Sequence, residues 1–206
     1  MTHISIGVLA HNEANVIRST LAALLMQSIF TDPHMSCEIV VIPNGCTDDT
    51  ATIAEDILNH ACDRSSKTKN TLIWKVCNLQ EAGLANAWNM FIHELSSPTA
   101  DYLFVMAADI QLIERETFSS MVSILENRPE AWVSVDKAIK DVVFKDHKTL
   151  VEKLSVWASQ LSGERASEGE PAWISGQLSC TRAAVIRKLW LPLTLPTDDS
   201  FFIRWS

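Results

Sequence analysis

Asp101-Tyr-Leu-Phe-Val-Met-Ala-Ala-Asp-Ile-Gln111 is the stretch on which the reading of the fold turns. Leu103 to Met106 is an unbroken apolar run of the kind that fills a strand buried on both faces. The run gives way to Asp109 where such a strand leaves its sheet. Ligands of open α/β sheets bind beyond the carboxyl ends of the strands. A carboxylate at that place can hold a divalent cation and, through it, a phosphate. The competing reading of Asp109 is an ordinary turn cap, so the rest of the chain has to decide.

Toward the N-terminus, Ile4 to Ala10 reads as a strand, followed by His11-Asn-Glu-Ala14 and a helix with Ile17, Leu21, Leu24 and Leu25 on one face. Glu38 to Ile42 is a second apolar strand ending in the turn Pro43-Asn-Gly-Cys-Thr-Asp-Asp-Thr50. Thr47 suits the N-cap of the next helix, with Asp48 and Asp49 in its first turn and Ile53, Ile57, Leu58 and Ala61 along its face. After a polar loop from Asp63 to Asn70, Leu72 to Val76 forms a third strand. A helix from about Ala82 to Leu95 turns Leu84, Trp88, Phe91, Ile92 and Leu95 inward.

Toward the C-terminus, Glu114 to Asn127 is a helix with Phe118, Met121, Val122 and Leu125 inward, and Ala131 to Val135 is a fifth strand. Successive strand-then-helix units imply crossover connections and a mainly parallel sheet with helices on both faces. The fold class is therefore α/β, Rossmann-like. Beyond Asp136 the rhythm changes. A helix carries Leu150, Leu154, Trp157 and Leu161. The polar loop from Ser162 to Pro171 is either a mobile lid or plain surface. Trp173 to Cys180 is strand-like with Gly176 inside it, Ala183 to Leu189 is a short helix, and Asp198-Asp199 lies near the end.

A chain of 206 residues, 47% hydrophobic and 20% charged, builds one globular core, so residues 1–206 are expected to form a single domain. A net charge of −8 without Lys/Arg clusters excludes nucleic acid as a partner. The odd count of 5 Cys and the scattered 6 His show no zinc spacing, and the cysteines read as thiols of a reducing compartment. No signal peptide or membrane span is visible, which predicts a soluble, cytoplasmic protein.

The ordered landmarks resemble those of the family-two inverting glycosyltransferases with the GT-A fold. Ala10-His-Asn-Glu13 resembles the family's Asn-Glu at the end of the first strand. Pro43-Asn-Gly-Cys-Thr-Asp-Asp-Thr50 is similar to its Asp-Asp/Asn-Gly-Ser-x-Asp-x-Thr turn, and Gln80-Glu-Ala-Gly-Leu-Ala-Asn86 to its Gly-Lys-x-x-Ala-x-Asn helix start. Ala107-Ala108-Asp109 stands where Asp-x-Asp is usual. Ser175-Gly-Gln-Leu-Ser-Cys-Thr-Arg182 and Asp198-Asp199 match the late Gly strand and acid pair.

The resemblance implies a nucleotide-sugar donor, an acceptor hydroxyl and a Mg²⁺ or Mn²⁺ ion held by Asp109. It places Ala10, His11 and Glu13 near the base and Asn44 where a base edge is read. Asn86, Ala108 and Gly176 fall within its donor-site motifs. Residues 1–110 form the nucleotide-sugar half and 111–206 the acceptor half. It makes Asp199 the general base, with Asp198 the acid beside it. Adjacent residues cannot share one face of an element, so Asp199 alone should reach the acceptor.

The chain departs from the pattern at Pro43, Glu81 and Ala107, which stand for an Asp, a Lys and the first metal-motif Asp. Those changes keep a second reading open, a non-catalytic nucleotide-sugar-binding protein on the same scaffold. A sugar-phosphate nucleotidyltransferase would want a Gly- and Lys/Arg-rich loop after the first strand, and Ala10-His-Asn-Glu13 is not one. Relatives continue past the Asp pair, so this chain is either truncated or has a minimal acceptor side. The apolar run Leu189-Trp-Leu-Pro-Leu-Thr-Leu195 then faces either the missing part or a lipid-linked acceptor, with peripheral membrane association as the corresponding partner.

Overall fold

The computed structural model describes residues 1–65, 72–136 and 177–193. Strands β1 (Thr2–Ala10), β2 (Met35–Pro43), β3 (Ile73–Val76), β4 (Tyr102–Ala107), β5 (Val133–Val135) and β6 (Leu178–Arg182) form one sheet in the order β3-β2-β1-β4-β6-β5. β1 pairs in parallel with β2 and β4, and β2 in parallel with β3. β6 runs antiparallel between β4 and β5. Helices α1 (Ile17–Leu25), α2 (Thr50–Ser65), α3 (Leu84–Met90), α4 (Thr117–Asn127) and α5 (Ala183–Ile186) connect or flank the strands.

The two-residue period of the strands divides the core cleanly. Ile4, Ile6 and Val8 of β1, Ile39 and Val41 of β2, and Tyr102, Phe104 and Met106 of β4 face α1, α2 and α4. Leu9, Val40, Ile42, Leu103 and Val105 point the other way, onto α3 and α5. Strands with apolar residues on both sides must be covered on both sides, which is why the runs are continuous rather than alternating. Phe104 and Phe118, both fully buried, meet with ring centroids 4.6 Å apart and tie β4 to α4. Burial of such a side chain contributes roughly 1.5–3 kcal/mol.

On the α3 side the packing is closer. A Cβ on Gly7 of β1 would sit 2.7 Å from the Phe91 ring, so the glycine is what lets α3 lie against the strand. The predicted single helix from Ala82 to Leu95 is instead α3 followed by one π turn, Phe91–Leu95. Leu84, expected inward, is 45% exposed at the first residue of α3.

Other boundaries also shift for local reasons. The predicted cap Thr47 gives its backbone N–H and hydroxyl to Asn12 Oδ1, and α2 starts only at Thr50, whose N–H goes to Asp48 Oδ1. α4 begins at Thr117 because the Glu114 and Arg115 carbonyls accept bonds from Gln27 Nε2 and Ser28 N–H. β5 is shorter than Ala131–Val135, and α5 ends at Ile186 rather than Leu189. Leu189 and Leu191 of the apolar run are buried in the core, while Trp190 and Leu193 are exposed. The predicted helix around Leu150–Leu161, the loop from Ser162 to Pro171, the strand start at Trp173 with Gly176, and Asp198-Asp199 lie outside the described residues. No helix among the described residues is long and apolar enough to cross a membrane.

Candidate functional site

Where β1, β2 and β4 end side by side, their following loops must part, and a cleft of about 350 Å³ opens. Its walls are Leu9 and Ala10 at the end of β1, His11 and Glu13 after it, Asn44 after β2, Ala107 ending β4, and Ala108 and Asp109 just beyond. Ala82, Gly83 and Leu84 close it from the start of α3. The structure thus brings together the sequence-selected residues Ala10, His11, Glu13, Asn44, Ala108 and Asp109. Asn86 is half-buried one turn into α3 and does not line the cleft.

Asn44 holds three walls together. It is 4% exposed, its Nδ2 donates to the Ala10 carbonyl at 2.8 Å, and its Oδ1 accepts the Gly83 N–H at 3.1 Å. The base-edge role expected for its amide therefore meets an amide already bonded within the protein. Gly45 beside it has φ +58°, and a Cβ there would lie 2.5 Å from Ala82, so the β2 turn and the α3 turn touch backbone to backbone. Gly45 N–H donating to Leu79 O and Leu79 N–H to Pro43 O extend that contact.

The loop after β1 is pinned to the loop after β2. The Glu13 N–H donates to Thr50 Oγ1 at 2.8 Å and the Ala14 N–H to Asp48 Oδ2 at 3.0 Å. Asn12, at φ 57°, turns its Oδ1 onto Thr47. Sequence reasoning missed Asn12, Asp48 and Thr50 as loop staples. An Asn adopts the left-handed region more readily than most residues, which is the signal that was there to use. His11 Nδ1–H donates to the Asn44 carbonyl at 2.7 Å, and its Nε2 lies 3.3 Å from Asn12 Nδ2.

The electrostatics are one-sided. Glu13 and Asp109 are the acids of the cleft, and no Lys or Arg is among its described lining residues. Burial pushes the Glu13 carboxyl above its ordinary range, the charges of Asp109 and Asp48 add to this, and His11 opposes it. The Thr50 hydroxyl holds Asp48 below the usual carboxylate range. Among the described residues no group of three or more His, Cys, Asp or Glu side chains forms a ready metal cage. The donor set still fits Mg²⁺ or Mn²⁺. It is a hard carboxylate oxygen at a cleft mouth, with room for ligands that a diphosphate and water bring.

A mostly parallel sheet with a ligand-sized cleft at its carboxyl edge and an acid just past the end of β4 is an open α/β arrangement of the kind that binds ligands at the strand ends. A family model described as glycosyl transferase family 2 matches residues 5–188, and the chain belongs to that family. No curated protein matches it by sequence. Among solved structures it is similar to the mannosyltransferase PcManGT from Pyrobaculum calidifontis, in complex with GDP-Man and Mn²⁺, at 20% identity and TM-score 0.66 over 96% of this chain and 49% of that one. TarS 1–349 from S. aureus, in complex with UDP, matches at 18% identity and TM-score 0.63, over 98% of this chain and 54% of that one. Glucosyl-3-phosphoglycerate synthase from M. tuberculosis, solved with Mn²⁺, UDP and glucosyl-3-phosphoglycerate, matches at 15% identity and TM-score 0.55, over 89% and 57%. The chain spans about half the length of these structures.

Proposed function

We propose that this chain transfers a sugar from a nucleotide-diphosphate donor to an acceptor hydroxyl with inversion, using a divalent cation and an aspartate base. The observation that carries the reading is the acidic cleft at the ends of β1, β2 and β4. A diphosphate entering beside Glu13 and Asp109, with no Lys or Arg on the walls described, needs its charge met by a cation. Asp109 would hold that cation, and when bound it would stabilise the charge developing on the leaving diphosphate. The pinned β1 and β2 loops offer the nucleoside a rigid floor, and rigidity there lowers the entropy lost on binding. That the structural neighbours carry UDP or GDP-Man, two of them with Mn²⁺, supports this donor class.

Asp199 is the proposed base, taking the acceptor hydroxyl's proton as it attacks, and Asp198 is the acid beside it. Leu191 packs along α3 at Asn89, about 8 Å of helix rise from Leu84 at the cleft wall. The six residues from Leu193 to Asp199 reach at most about 20 Å, enough to bring a carboxylate to the cleft. Turnover of UDP- and GDP-sugars, measured with Mn²⁺ and with EDTA, tests the reading. We expect EDTA to abolish it and Asp199→Asn to lower it by about two orders of magnitude or more. Wild-type rates in Asp199→Asn would remove the base.

Ala107, which replaces a carboxylate at the end of β4, favours a second reading, a donor-binding protein without turnover. Calorimetry separates the two: nucleotide binding indifferent to Mn²⁺, with no product formed, belongs to the second.

A further inference from the structure

The cleft stands on a row of side chains that crosses the sheet from strand to strand. Leu9 of β1 points to the α3 side, and its register partner on β4 is Ala107. Both line the cleft. β6 lengthens the row. It runs antiparallel to β4 with Leu178 opposite Met106, and the Ala107 N–H donates to the Gln177 carbonyl at 2.8 Å. Gln177, just ahead of β6, therefore stands opposite Ala107. Residues so paired share one face of a sheet, with Cβ atoms about 4.5–5.5 Å apart. Leu178 and Met106 are buried together in the core on the α4 side, so alternation puts Gln177 on the other side, with Leu9 and Ala107.

Gln177 is exposed, whereas Leu178 beside it is 2% exposed. An exposed Gln at the start of a strand is ordinary surface in most settings. Its neighbour makes this one different. Ala107 ends in a methyl group, so the space above β4 that a longer side chain would fill is open to the Gln177 amide.

Strand order gives that amide its ligand. β2, β1, β4 and β6 stand side by side, so Asn44 after β2 and Gln177 before β6 are separated by three strand spacings, about 14 Å. In the proposed function the nucleoside lies over the loops after β1 and β2, and the diphosphate meets a cation at Asp109 beyond β4. A donor laid across the edge in that order presents its sugar to β6. Sugar hydroxyls both donate and accept hydrogen bonds. A neutral amide answers both roles and adds no charge to a mouth that already holds Glu13 and Asp109. A few polar groups placed on apolar walls are what fix a small ligand's orientation.

We propose that Gln177 is a specificity-determining residue that binds the sugar of the donor, its side-chain amide bonding a ring hydroxyl. The inference rests on the proposed function and adds to it the group that reads the transferred sugar.

Calorimetry on the full chain with Mn²⁺ tests this, setting UDP and GDP against a panel of UDP- and GDP-hexoses that includes UDP-glucose and GDP-mannose. The variants are Gln177→Ala and Gln177→Met, the second keeping the length of the side chain without its amide. For the sugar nucleotide that wild type binds most tightly, both should lose about three- to tenfold in affinity, the worth of a hydrogen bond. Affinity for the free nucleotide should stay within about twofold. Melting temperatures should match that of wild type, because the side chain is exposed. If either variant binds every sugar nucleotide as wild type does, or loses the free nucleotide to the same extent, the sugar contact is overturned. The two failures are distinct. Wild type that binds no nucleotide with Mn²⁺ sinks the donor reading and this assignment with it, whereas wild type that binds sugar nucleotides no better than either variant sinks the assignment of Gln177 alone.

Discussion

At the scale of single residues, Glu13 carries the clearest consequence. Its folded-state pKa lies above the unfolded one, through burial first and then the charges of Asp109 and Asp48. Folding therefore favours its protonated form. The stability this lends is complete below the unfolded pKa, which the reference value puts near 4.5, and is lost as pH rises through the raised folded value. Glu13→Gln removes the ionisation and should raise the melting temperature at neutral pH, with the gain shrinking as the pH is lowered toward 4.5 and below. A gain that is the same at every pH would show that the carboxylate's surroundings do not disfavour its charge. At this scale much of the cleft was legible from sequence, Asp109 from the apolar run it follows, and Ala10, His11, Glu13 and Asn44 through the ordered family resemblance. The partners were not. That the Asn44 amide bonds to Ala10 and Gly83 depends on contacts between residues 34 and 39 positions apart, which no local pattern encodes.

At the scale of elements, the strands were read well because burial on both faces leaves an uninterrupted apolar signature. The helix after β3 was read less well. Trp88, Phe91, Ile92 and Leu95 keep apolar spacing whether the last turn is α or π, so periodicity cannot tell them apart. What sets the packing of this helix is a residue on another element. Gly7 leaves the space that the Phe91 ring occupies, and a methyl group 2.7 Å from that ring must displace it. Gly7→Ala should therefore destabilise the fold by about 1–3 kcal/mol, seen as a lower denaturant midpoint with an unchanged slope. Because Gly83 and Leu84 at the N-terminal end of α3 line the cleft, nucleotide affinity should fall with it. An unchanged midpoint would mean that the π turn absorbs the shift.

At the scale of the whole molecule, the sheet gathers the ends of three parallel strands into one acidic mouth, and the charge of that mouth constrains what it can bind. A nucleoside diphosphate alone adds like charge beside Glu13 and Asp109, while a Mn²⁺ nucleotide complex brings its own compensation. Binding to the native state alone stabilises by mass action, about 2.7 kcal/mol at a hundredfold excess over Kd. For a chain of about 200 residues each kcal/mol moves the melting temperature by about 2–4 °C. UDP or GDP with Mn²⁺ at such an excess should thus raise it by about 5–10 °C, and the same nucleotide with EDTA should leave it nearly unmoved. Asp109→Asn should remove the metal-dependent part while keeping the melting temperature of the unliganded protein, since its side chain is exposed. A shift of equal size with and without metal would mean that the diphosphate finds its positive partner in the protein itself. The cation assigned to Asp109 would then have no place in the site.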